Sequence, residues 1–150
     1  MRNERIFQIS RIFLRLALGI TFLVSVGDRV GLFGPLGAKN VSWGDWSHFV
    51  QYVAVLNWYV PKDLIPVLAV LETIIEVALG VALLLGIYQR AVAWSSAALL
   101  MSFALTMSVA LGITAPLSYS VFTAAGSALL LGAVTVPGAA GGWSDVDGAA

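Results

Sequence analysis

The sequence predicts an all-α integral membrane protein. The architecture is an antiparallel four-helix bundle with a short extracytoplasmic interfacial helix between spans one and two. Two features of composition and one of pattern predict it. Of 150 residues, 59% are hydrophobic and 11% are charged, against ~45–50% and ~25% in soluble domains. Mean hydropathy is +0.92. Four apolar runs approach the ~20 residues that a spanning helix requires. Four spans take up about 80 residues, which leaves too few for a separate soluble catalytic domain. Disorder is excluded by the same composition. Eight basic residues balance eight acidic ones, so nothing points to nucleic acid.

Residues 1–10 are polar and form a cytoplasmic N-terminal segment. The single membrane domain then covers residues 11–137. Span one runs over about 11–33. It is too long for a signal-peptide core and has no A-x-A-like site after it, so an uncleaved span is expected. Gly34, Pro35 and Gly37 then open a long connection. Within it, residues 46–56 carry apolar side chains at helical spacing, behind Asp45 or Ser47 as N-cap. Eleven residues are too few to span, so this is the interfacial helix. Trp43, Trp46, Tyr52, Trp58 and Tyr59 suit the aromatic belt at a membrane boundary. They serve as anchors or as a lid over a pocket. Span two covers 64–87, with Pro66 in its first turn where a missing N–H costs little. Tyr88, Gln89 and Arg90 form a tight turn. Span three covers about 91–113, Ala115 and Pro116 break the chain, and span four covers about 117–136. Residues 138–150 read as a disordered cytoplasmic tail.

The positive-inside rule sets the orientation. Arg2, Arg5, Arg11, Arg15 and Arg90 place both termini in the cytoplasm and the aromatic loop outside, in a cytoplasmic (inner) membrane. In lipid, small residues bring helices together better than large apolar ones do. Ala104, Ser108 and Gly112 form one such ridge, and Ala124, Ala128 and Gly132 another. Each serves equally as a seam of the bundle or as a homo-oligomer face.

Glu72 and Glu76 are the informative charges. They lie one turn apart on one face of span two. An acidic group near mid-bilayer costs ~2.5–3.5 kcal/mol, so that face should point into the bundle. At 1.5 Å per residue, Glu72 lies ~12 Å and Glu76 ~18 Å along the span, while Asp28 and Arg29 lie ~6–8 Å below the end of span one at Phe33. This depth pairs Arg29 with Glu72 and brings Arg15 toward Glu76 from the other side. Three readings of the face stay open: an ion-paired core that fixes register, a polar ligand pocket, and a proton path. No nucleophile or phosphate loop accompanies the carboxylates. Cysteine is absent and His48 is the single histidine, so no thiol chemistry and no multi-histidine metal centre is available to one chain. The metal expectation is therefore none, and His48 reads as an interfacial polar side chain, with a ligand or a proton carrier as the alternative.

At these residues the sequence resembles the DoxX family of small four-helix membrane proteins. The matching segments are LRLALGITFLVSVGDR (14–29), NVSWGDW (40–46), LNWYVP (56–61), ETIIEVALGVALLLGIYQR (72–90) and PLSYSVF (116–122). Arg15, Gly19, Glu76, Gly80, Gly86 and Arg90 fall on the family's recurring positions. Gly27, Asp28 and Arg29 stand where the family often has Gly-x-x-Lys, similar to a subgroup with an Asp-Arg pair. The resemblance implies an accessory subunit of a membrane oxidoreductase or redox-homeostasis complex, in contact with quinone. Its partners would be the lipid bilayer and redox-complex subunits. On this expectation Arg29, Glu72 and Glu76, with Asp28 and Arg15, form the polar side of a pocket. Trp43 and Trp58 lie against the ring. Two alternatives stand beside it: a binding or transport protein for a small solute or lipid that uses the Glu72 and Glu76 face, and a structural scaffold.

Overall fold

The computed structural model describes residues 2–135, with side chains from Glu4 onward. The expected tail lies outside the described residues. Helix α1 runs Arg2–Arg29, α2 Trp46–Leu56, α3 Ile65–Leu85, α4 Gln89–Leu111, α5 Thr114–Ser118 and α6 Val121–Val134; a 3₁₀ turn, Lys62–Leu64, leads into α3. Glu4–Arg29, Lys62–Leu85 and Gln89–Leu111 are long and apolar enough to cross a membrane, and Val121–Val134 is apolar but shorter. The chain is a multi-pass integral membrane protein. Its wide apolar exterior, with Ile20, Val24, Ile74 and Val109 about half exposed or more, is the surface that lipid covers.

Several span ends differ from those the hydropathy selects. Helix α1 starts at Arg2 because no breaker separates the polar start from the apolar run, and Glu4 suits its first turn. It stops at Arg29 rather than near Phe33. Gly31 sits at φ +81, and Leu32 and Gly31 donate backbone bonds to Gly27 and Asp28 carbonyls at 3.0 Å each. This is a Schellman cap, which needs a left-handed residue after the last turn. Val30, Leu32 and Phe33 are apolar but lie in or beyond the cap. Gly86, at φ +74, ends α3 in the same way, two residues short of the apolar run. Gln89 and Arg90 belong to α4 rather than to the turn before it. The expected fourth span is divided. Gly112 ends α4, Pro116 lies inside α5, and Ser120, left-handed at φ 56, separates α5 from α6. Fourteen residues of α6 reach only ~21 Å, short of a ~30 Å hydrocarbon core.

Two contacts set the arrangement of the helices. Helices α1 and α3 cross at Gly19 and Gly80: a Cβ on Gly19 would stand 3.0 Å from the Gly80 carbonyl oxygen, and one on Gly80 3.2 Å from that of Gly19. The backbones therefore touch. Helix α4 packs on α6, with Ala93 and Ala97 clustered with Ala125 and Ala128 in the core and Gly132 against the Trp94 ring. Of the two expected ridges, Ala128 and Gly132 lie in this seam, Ala104 is buried, and Gly112 faces open space. Leu18, Phe22, Leu83, Leu100 and Leu131 fill the main core. A second cluster, Phe49, Val53, Ile65 and Ala69, fastens α2 to the start of α3.

A cavity beneath the interfacial helix

Asp45 organises the loop end of the bundle. Its side chain caps α2 by accepting the His48 backbone N–H at 2.9 Å, and it also meets His48 Nδ1 at 2.9 Å. The His48 backbone bond holds the Asp45 carboxyl below its ordinary range. The Asp28 carboxylate, 5% exposed, accepts the backbone N–H groups of Ser42 at 2.8 Å and Trp43 at 3.0 Å. It thereby ties the long connection to the end of α1 and sets Trp43 over Arg29.

Arg29 is 1% exposed. Its Nη2 donates to Glu76 Oε2 at 2.8 Å and to Ser25 Oγ at 2.9 Å; its Nη1 donates to Thr73 Oγ1 at 3.0 Å. The Thr73 hydroxyl donates its own hydrogen bond to the Ala69 carbonyl at 2.8 Å, so its oxygen is oriented to accept from Arg29. Phe49 of α2 lies flat against the guanidinium, with Cζ 3.8 Å from the ring centroid, and Trp43 adds a second ring at 5.3 Å. Buried charge survives only when paired and hydrogen-bonded, and cation–π contact is strongest when desolvated. Arg29 has all three forms of support.

A cavity of about 710 Å³ opens beside this cluster, roofed by α2 and the connection before it. Arg29, Glu72, Glu76 and Ser25 give it a polar side, and Trp43, Phe49 and Tyr52 an aromatic one. Leu100, Phe103 and Met107 of α4 complete its wall on the apolar side. Burial raises the pKa of the Tyr52 hydroxyl above its ordinary value, with Tyr119 as the lesser cause, and the group stays a neutral donor.

The expected site residues separate into three groups. Arg29, Glu72, Glu76 and Trp43 line the cavity. Asp28 is the clamp just described. Arg15 and Trp58 lie elsewhere. Arg15 rests against Gly86 at the opposite end, and Trp58 is 70% exposed, stacked edge-on against Tyr59. The partner of Arg29 is Glu76 and not Glu72, and Arg15 does not approach Glu76. Side chains lean toward the N-terminus of their own helix. In antiparallel helices Arg29 therefore leans down α1 while Glu76 leans up α3, and they meet between the levels of their Cα atoms. Glu72, a turn farther up, makes no hydrogen bond or ion pair among the described residues. The sequence reading missed Phe49 as the ring on Arg29. Its place on the apolar face of a short helix next to Trp46 was the available signal. Among the described residues no three His, Asp or Glu side chains group so as to hold a metal ion.

A family model for the methylamine utilisation protein MauE matches residues 6–118. The chain belongs to the MauE family. The match names MauE rather than DoxX, to which MauE is related. It runs from within α1 to the end of α5 and takes in every residue that lines the cavity except Tyr119 and Val121. No curated protein and no solved structure matches the chain.

Proposed function

We propose that this MauE-family chain is an accessory membrane subunit of a redox system in methylamine utilisation, and that its cavity takes a quinone head. The observation that carries the proposal is a fully buried, ion-paired Arg29 on the wall of a cavity of about 710 Å³ whose other sides are aromatic and aliphatic. Binding sites of this kind measure ~300–1,000 Å³ and combine apolar walls with a few fixed polar groups. Arg29 and Ser25 supply donors for a quinone oxygen. Trp43, Phe49 and Tyr52 supply ring faces, and Phe103 and Met107 line the way for an apolar tail. Quinone supplies the electron transfer when bound; the chain positions it.

The test is purification in mild detergent, followed by solvent extraction and mass spectrometry. Quinone and a redox subunit should accompany the wild type, and Arg29→Gln or Phe49→Ala should lower the quinone content. Recovery of neither companion would reject the proposal. Glu72, a carboxylate on the cavity wall with no hydrogen bond or ion pair among the described residues, favours a second reading: a carrier for a small cationic or hydrogen-bond-donating solute. Proteoliposome flux that is the same in wild type and Glu72→Gln would exclude it.

A further inference from the structure

A second concavity, of about 600 Å³, lies at the end of the bundle opposite the aromatic loop. Arg11 of α1 and Arg90 of α4 both line it, with Gln89, Tyr88 and Trp94. Neither arginine makes an ion pair or hydrogen bond among the described residues. The sequence explains why. Between Glu76 and Thr135 the chain has no acidic residue, so no carboxylate on α4, α5 or α6 can meet Arg90. The first turn of α4 holds no acidic residue and no side-chain cap, so its positive end is uncompensated. A third guanidinium, that of Arg15, rests on Gly86 beside Gln89, and its buried Nε has no partner. Below the charges the floor is apolar. Ala91 and Trp94 form it, and Trp94 is 46% exposed toward the surroundings of the bundle.

We propose that this cleft binds the phosphate headgroup of an anionic phospholipid, with Arg11 and Arg90 on the phosphate and Trp94 along the start of an acyl chain. Guanidinium forks match phosphate oxygens in pairs, and basic pockets between membrane helices hold anionic headgroups. Orientation of the chain in the membrane needs only that basic residues stay on one side. It does not need residues from α1 and α4 to converge over one tryptophan. A bound lipid is anchored to the membrane that covers Trp94, whereas a free anion makes no use of that floor. The proposal is independent of what occupies the cavity at the loop end.

The full-length chain, reconstituted in nanodiscs of equimolar phosphatidylglycerol and phosphatidylcholine, is released into native mass spectrometry. The wild type should retain phosphatidylglycerol over phosphatidylcholine by about fivefold or more per arginine engaged. R11Q/R90Q should lose that preference, R11K/R90K should keep most of it, and R5Q, outside the cleft, should match the wild type. Should the double glutamine variant fail to fold, the single R90Q at the helix terminus carries the comparison. Equal retention of both lipids by the wild type overturns the proposal, and so does an unchanged preference in the glutamine variant. Displacement of phosphatidylglycerol by millimolar inorganic phosphate would assign the cleft to a free anion and overturn the lipid assignment.

Discussion

At the loop end of the bundle Arg29 is enclosed by a carboxylate, two hydroxyls and two aromatic rings. At the opposite end Arg90 is exposed, and no acidic residue lies between Glu76 and Thr135 to meet it. The side chains are chemically the same, and their surroundings assign them different work. The charge of Arg29 is paired within its own protein and both of its Nη groups are hydrogen-bonded there, so it organises the fold around a cavity. Arg90 keeps its hydrogen-bonding capacity for something outside the chain. An arginine in a small membrane protein therefore cannot be assigned from residue type or depth alone; its partners decide.

The sharpest way to break this contrast is to remove the same charge at each end. Arg29→Met leaves Glu76 buried without a counter-charge and should cost ~3–5 kcal/mol, read from reversible unfolding in mixed micelles. Adding Glu76→Leu should restore most of the loss. A double variant as unstable as the single one would show that pairing is not the reason. Arg90→Met should stay within ~0.5 kcal/mol of wild type, and a larger loss would erase the difference between the ends. Gly80→Leu drives a side chain into the α1 backbone and should cost ~1–3 kcal/mol by the same measurement. Phe49→Leu keeps bulk but loses the ring over Arg29, at about 1–2 kcal/mol, whereas Phe49→Tyr should retain it. The smallest effect is at Asp45. Its carboxyl is held below the ordinary value of 3.8 by the His48 backbone bond. The cap is therefore fully present above that value and is lost as pH falls through the lowered one. The His48 amide resonance should titrate with a midpoint below 3.8, and in Asp45→Asn it should not titrate there.

Long apolar helices were legible because lipid demands them, and α2 was legible because its apolar positions repeat at helical spacing behind a capping aspartate. The ends of α1 and α3 were less so. Hydropathy continues past Gly31 and Gly86, while the backbone turns there for steric reasons that a sliding average does not register. The break at Ser120 left no sequence signal at all, since serine rarely takes a left-handed conformation and only the tertiary context imposes it. For the site, one face bearing two glutamates was enough to place a polar interior next to span one. Choosing Glu76 over Glu72 required the lean of side chains in opposed helices, which a count of residues along an axis omits. Trp58 was grouped with Trp43 by composition. Only the Asp28 bonds to Ser42 and Trp43 show which tryptophan is drawn inward.

Where Gly19 meets Gly80, backbone lies against backbone, with Leu84 packed over Gly19 and Leu23 over Gly80. Such a crossing acts as a hinge pin. Along α1 it lies ~15 Å from Arg29 in one direction and ~12 Å from Arg11 in the other. A change in the angle between α1 and α3 that keeps this contact turns about this point, and the two arms then swing together by nearly equal amounts. Spreading of the helices at the cavity would thus move Arg11 relative to the α3–α4 turn that carries Arg90. The two ends are joined as the jaws and handles of pliers are joined, by geometry alone.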